Sequence, residues 1–71
     1  MPQPIKLRLI IKILESKDFL FISQKGSHAK YRKSGKLKYT VILKMTKKDI
    51  PYGTFKSILF QSGLKESDFR K

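Results

Sequence analysis

Seventy-one residues hold one domain and no second core, and a chain this short buries only about 60% of the surface its unfolded form exposes. The absence of Cys excludes a disulfide framework and a thiolate zinc site, while an apolar fraction of 39% with five Phe and three Tyr excludes a disordered tail. Seventeen Lys and Arg against five Asp and Glu give a net charge of +12, an excess that suits a polyanionic or acidic partner as well as plain solubility.

In chain order, the first element is expected to be a helix from about Pro4 to Glu15. Pro4 suits a first turn, and Ile5, Leu9 and Ile13, with Ile10 and Leu14 alongside, form its apolar stripe. Lys12 and Glu15 interrupt this stretch, so it is too short to cross a bilayer, and no small-residue cleavage site follows it. A core helix and a basic helix lying on a lipid surface share this pattern; the core reading is adopted, and with it a cytoplasmic protein that has no membrane partner. Ser16-Lys17-Asp18 ends the element. Phe19 to Lys25 is rich in strand formers and is bounded by Gly26-Ser27. His28 to Lys33 alternates, with His28, Lys30 and Arg32 on one face and Ala29 and Tyr31 on the other. Ser34-Gly35 makes the next turn. Leu37 to Leu43 then points Leu37, Tyr39, Val41 and Leu43 one way and Lys38 and Thr40 the other.

Met45 to Tyr52 reads as a connecting loop with Lys47, Lys48 and Pro51. Thr54 suits the N-cap of a helix carrying Phe55, Ile58 and Leu59, and Gly63 followed by Leu64 fits a glycine C-cap. Residues 65–71 close the chain as a short turn or helix. The expected fold is α+β in the order α-β-β-β-α: a three-stranded antiparallel sheet with two helices on one face, in a single domain spanning 1–71. Its other face is left to the basic side chains.

Charge is not spread evenly. The acids are Glu15, Asp18, Asp49, Glu66 and Asp68, so residues 19–48 contain none and carry nine cations. Such a segment reads as a binding face, although a charged sheet face also guards against edge pairing. One His, no Cys and scattered carboxylates suit neither a metal site of the usual kind nor paired acid–base carboxylates, and the isolated glycines form no phosphate-cradling loop. No metal or cofactor is therefore expected.

His28 is the one histidine, placed just after a tight turn on the basic face. A neutral imidazole can take the proton of a ribose 2′-hydroxyl, which then attacks the adjacent phosphodiester. Nearby cations stabilise the charge that develops on phosphorus. On residue type alone, an exposed strand histidine without a role is the favoured reading. Arg32 is the most specific anion reader here, because its fork holds a phosphate bidentately.

Gln24-Lys25-Gly26-Ser27-His28, followed by Tyr31, resembles the signature of the HicA-type toxins of bacterial toxin–antitoxin pairs. The stretch Lys48-Asp49-Ile50-Pro51-Tyr52-Gly53-Thr54-Phe55-Lys56-Ser57-Ile58-Leu59, with Gln61-Ser62-Gly63-Leu64, resembles that family's second-helix segment. The resemblance implies a fold like that of double-stranded-RNA-binding domains. It also implies an endoribonuclease that cuts mRNA and is neutralised by a HicB-type antitoxin, and it assigns the catalytic role to His28. The supporting set inferred around it is Lys25, Gly26, Ser27, Lys30, Arg32 and Lys38 as RNA-binding residues. Where family members often carry a second His, this chain has Ala29, and Ile42-Leu43-Lys44-Met45-Thr46 holds neither the Pro nor the His that many have there. A non-catalytic RNA-binding module of the same fold is the alternative reading.

Overall fold

The computed structural model describes residues 4–46 and 48–69. Lys47, Arg70 and Lys71, and the side chains of residues 36 and 37, lie outside the described part, so the inward placement expected of Leu37 does too.

The chain runs β1 (Ile5–Lys6), α1 (Leu7–Ser16), β2 (Phe19–Lys25), β3 (His28–Lys33), β4 (Lys36–Lys44), β5 (Asp49–Ile50), α2 (Tyr52–Ser62) and a final 3-10 turn at Glu66–Asp68. β2, β3 and β4 form one antiparallel sheet in that order, and β1 pairs antiparallel with β5. The architecture is α+β, with one core of Ile10, Leu14, Phe19, Val41, Leu43, Phe55, Ile58 and Phe69 between the helices and a single sheet face. Phe55 and Phe69 meet edge to face at 5.2 Å, which draws the final turn onto α2.

Four boundaries differ from the sequence expectation, and long-range pairing sets the first two. The first helix begins at Leu7, not Pro4, because Ile5 pairs with Ile50 and Lys6 with Asp49, and the Leu7 amide donates to the Lys48 carbonyl at 2.8 Å. Its buried residues are consequently Leu7, Ile10 and Leu14, with Leu9 exposed, so the stripe is rotated from the expected one. The loop at 45–52 contains β5 for the same reason. α2 starts at Tyr52 with Pro51 as its N-cap, and the Phe55 amide donates to the Pro51 carbonyl at 2.9 Å. Proline's fixed φ starts the helix there, leaving Thr54 inside it. β4 extends one residue further at each end than expected. Gly63 caps α2 at φ +72° as expected.

The three sheet strands are not equally protected. On β4 the Ile42 amide donates to Gln61 Oε1 of α2 at 3.2 Å, so α2 covers that edge. β2 is bare beyond Phe19: Leu20, Phe21 and Ile22 are all exposed, and a bulge lies between Phe21 and Ser23. Bulges of this kind interrupt edge pairing.

Candidate functional site

The β2–β3 turn is built from short-range bonds. Gly26 adopts φ +60°, a conformation that glycine takes without strain, and the Gln24 side-chain amide braces the turn by donating to the Gly26 carbonyl at 3.0 Å. Nothing lies within 4 Å of where a Cβ on Gly26 would sit. The Ser27 carbonyl accepts from the Met45 amide at 2.7 Å, so the turn is tied to the end of β4.

His28 is the first residue of β3 and is exposed. Its cross-strand partner on β2 is Lys25, and its partner on β4 is Lys44. Directly opposed residues share a face, with Cβ atoms roughly 4.5–5.5 Å apart, so the His28 side chain leaves the open side of the sheet between those of Lys25 and Lys44. Lys44 was not singled out from the sequence as a site residue. A two-residue turn at Ser34-Gly35 would pair His28 with Val41. The register instead shifts by three residues between Arg32 and Lys33, where Arg32 pairs with Thr40 but Lys33 with Lys36.

The other expected residues lie progressively further along the sheet. Lys30 is two residues from His28, about 7 Å, and Arg32 four residues away, about 13 Å, on the same face of β3. Both are half-buried, and Arg32 Nε donates to Thr40 Oγ1 at 3.2 Å, which orients the guanidinium and leaves its terminal nitrogens for an anion. Lys38 lies six residues back from Lys44 along β4, about 20 Å, with its ammonium 5.3 Å from the Tyr39 ring centre. Lys25, Gly26, Ser27 and Lys44 are thus gathered at His28, and Lys38 is at the far end of the strand.

The open face is not purely basic, as the sequence suggested. Leu20, Ile22 and Ile42 are exposed among the cations, so this face combines charge with apolar contact area. Ala29 is fully buried and points into the core, so the position following His28 does not face the site at all. Tyr31 is also core: burial, and then the Glu15 charge, push its hydroxyl above the ordinary tyrosine range. Tyr39 is half-buried, and Phe21 is exposed against the Tyr31 edge at 5.7 Å.

A second feature adjoins the turn. A cleft of about 590 Å³ is lined by Lys6, Leu7, Arg8, Ile11, Met45 and Lys48. Among the described residues, no cluster of three His, Asp or Glu side chains could hold a metal ion, and no helix is long and apolar enough to cross a membrane.

A family model described as the HicA toxin of bacterial toxin–antitoxin systems matches residues 8–64, most of the chain. No curated protein matches it.

Proposed function

The chain belongs to the HicA toxin family of bacterial toxin–antitoxin systems, and from that premise we propose that it is a metal-independent endoribonuclease that cuts mRNA with His28 as general base. The observation carrying this reading is the row Lys25–His28–Lys44, set on an open turn inside the matched region. The ribose 2′-hydroxyl gives its proton to the neutral imidazole as O2′ bonds to phosphorus. Lys25 and Lys44 flank the phosphorus and stabilise the added negative charge. The P–O5′ bond then breaks, and O5′ takes a proton from a neighbouring ammonium or from water. The products are a 2′,3′-cyclic phosphate and a 5′-hydroxyl. The nucleophile belongs to the substrate, so the protein needs to supply only a base and positive charge.

Lys30 and Arg32 hold the RNA backbone along the sheet, with Lys38 at its far end, and Gly26 and Ser27 let that backbone approach His28. Contacts of this type read phosphate and shape more than sequence, so sequence preference is weak. The toxin's antitoxin is a HicB-type protein whose acidic surface covers the cationic face and excludes RNA. The whole of 1–71 acts as one domain in the cytoplasm.

Controlled expression of wild type and His28→Ala, with growth and total RNA followed, tests this reading. Arrest with RNA fragmentation in the wild type alone is expected, with cyclic-phosphate ends on the fragments. Fragments ending in 3′-hydroxyl and 5′-phosphate, or a requirement for magnesium, would overturn the mechanism. Two folded, harmless proteins that bind RNA equally would make the chain a non-catalytic RNA-binding module.

A further inference from the structure

The cleft beside the catalytic turn has no part in the chemistry above, and its lining is of two kinds. Leu7 is buried and Ile11 and Met45 are half-buried, which makes an apolar floor; Lys6, Arg8 and Lys48 are exposed and form a cationic rim. Lys6 is held by Asp49 at 2.8 Å. Arg8 and Lys48 make no ion pair among the described residues. A volume of about 590 Å³ lies within the range of sites that enclose small organic groups, and a free inorganic anion has no use for an apolar floor.

Position selects the occupant. Met45 reaches the catalytic turn directly through its amide bond to the Ser27 carbonyl at 2.7 Å. It also follows Lys44, the cross-strand neighbour of His28. The cleft therefore continues the site around the end of the sheet, from the open face carrying His28 to the helix side. A strand whose phosphodiester sat at His28 would pass over Lys44 and Met45 toward Arg8 and Lys48, where a base could rest on Leu7, Ile11 and Met45 while its phosphate met the rim. Bases paired in a duplex are stacked and closed to such a floor.

We propose that this cleft is a subsite for one unpaired nucleotide flanking the scissile phosphate, so that the protein engages single-stranded RNA there although its α-β-β-β-α order resembles that of duplex binders. The proposal rests on the reading of RNA as substrate.

Its test uses the His28→Ala protein, which isolates binding from cleavage, with a fluorescein-labelled single-stranded oligoribonucleotide and a blunt RNA duplex as probes. Arg8→Ala combined with Lys48→Ala is expected to weaken single-strand binding about tenfold and to lower the salt slope by about one for each phosphate no longer neutralised. Lys56→Ala combined with Lys65→Ala removes the same charge elsewhere and is expected to leave binding within about twofold. Met45→Glu weakens the single strand, and the volume-conserving Met45→Leu restores it. Circular dichroism melts confirm that each variant is folded.

Equal losses for strand and duplex, or equal losses for the two double variants, would overturn the subsite in favour of general electrostatics. Unchanged RNA binding together with failure to bind the antitoxin would reassign the cleft to the protein partner. A wild type that does not cleave, but whose single-strand binding still depends on the cleft, would overturn the ribonuclease reading alone. A wild type that cleaves without such dependence would overturn the subsite alone.

Discussion

Gly26 and Gly63 both hold left-handed backbone, at φ +60° and +72°, yet their surroundings are opposites. A Cβ at Gly26 would meet nothing within 4 Å, whereas one at Gly63 would lie 2.7 Å from Tyr39 Cε1. Tyr39 sits five residues back from Lys44 on β4, about 17 Å along the strand, so the two glycines mark opposite ends of the sheet. Charge follows the same division. At the packed end Lys17 pairs with Asp68 at 3.6 Å, while at the open end His28 stands between Lys25 and Lys44. The same backbone demand serves packing at one end and access at the other.

This contrast can be tested by substitutions that separate stability from activity. Gly63→Ala is expected to have the largest effect on stability, about 3 kcal/mol. Roughly 1–2 kcal/mol comes from the left-handed backbone and the rest from displacing the Tyr39 ring. A domain of this size holds only about 4–10 kcal/mol in total, so a urea titration should show a large fall in midpoint. Cleavage per folded molecule should stay near the wild-type value; a specific loss of activity would show that the two ends are coupled.

Lys44→Ala acts in the opposite sense. Cleavage should fall by about 10- to 100-fold, equivalent to about 1.4–2.7 kcal/mol of transition-state stabilisation, with the urea midpoint nearly unchanged. Lys38→Ala, at the other end of β4, should cost less. Equal losses would mean that the cations act as a diffuse field and not as neighbours of His28.

Gly26→Ala should cost about 1 kcal/mol of stability, since only the backbone conformation is penalised. A stability loss matching that of Gly63→Ala would contradict the open surroundings of the turn.

The smallest expected effect is at Asp68. The backbone amide of Lys65, 2.9 Å from the carboxylate, and then the Lys17 charge hold it below the usual carboxylate range. A depressed folded value means that the stabilisation is complete above the unfolded value of about 3.9. It is lost as pH falls through the folded value. The melting temperatures of wild type and Asp68→Asn should therefore differ at pH 6 and converge toward pH 2. A constant difference across that range would remove the linkage.

Much of this fold was legible locally. β2 and β3 run over the residues expected from strand propensity and flanking turns, because Gly26-Ser27 and Ser34-Gly35 bound them in sequence. The alternation of Ala29, Tyr31, Val41 and Leu43 placed all four inside. Gly63 ended α2 because a glycine cap is a local event. His28 could be placed on the open face on the same grounds. The composition of that face was less legible, since Leu20 and Ile22 follow Phe19 in an apolar run that gives no sign of the bulge beside them. The helix starts differ for two reasons: distant chain, Lys48 and β5, decides where α1 begins, whereas the fixed φ of the neighbouring Pro51 starts α2 ahead of Thr54.

Alternation specifies which side of a sheet each residue faces, and turn chemistry specifies where strands begin and end; both are properties of neighbouring residues, so the chain alone carried them. Register is a different quantity. Keeping Val41 and Leu43 inside beside Ala29 and Tyr31 requires an odd shift from the two-residue turn, but several odd shifts satisfy that condition. Only the folded sheet carries the shift of three, which sets Lys44 beside His28. The cleft has the same origin, for its two walls are more than thirty residues apart in sequence and meet only once β1 and β5 have paired.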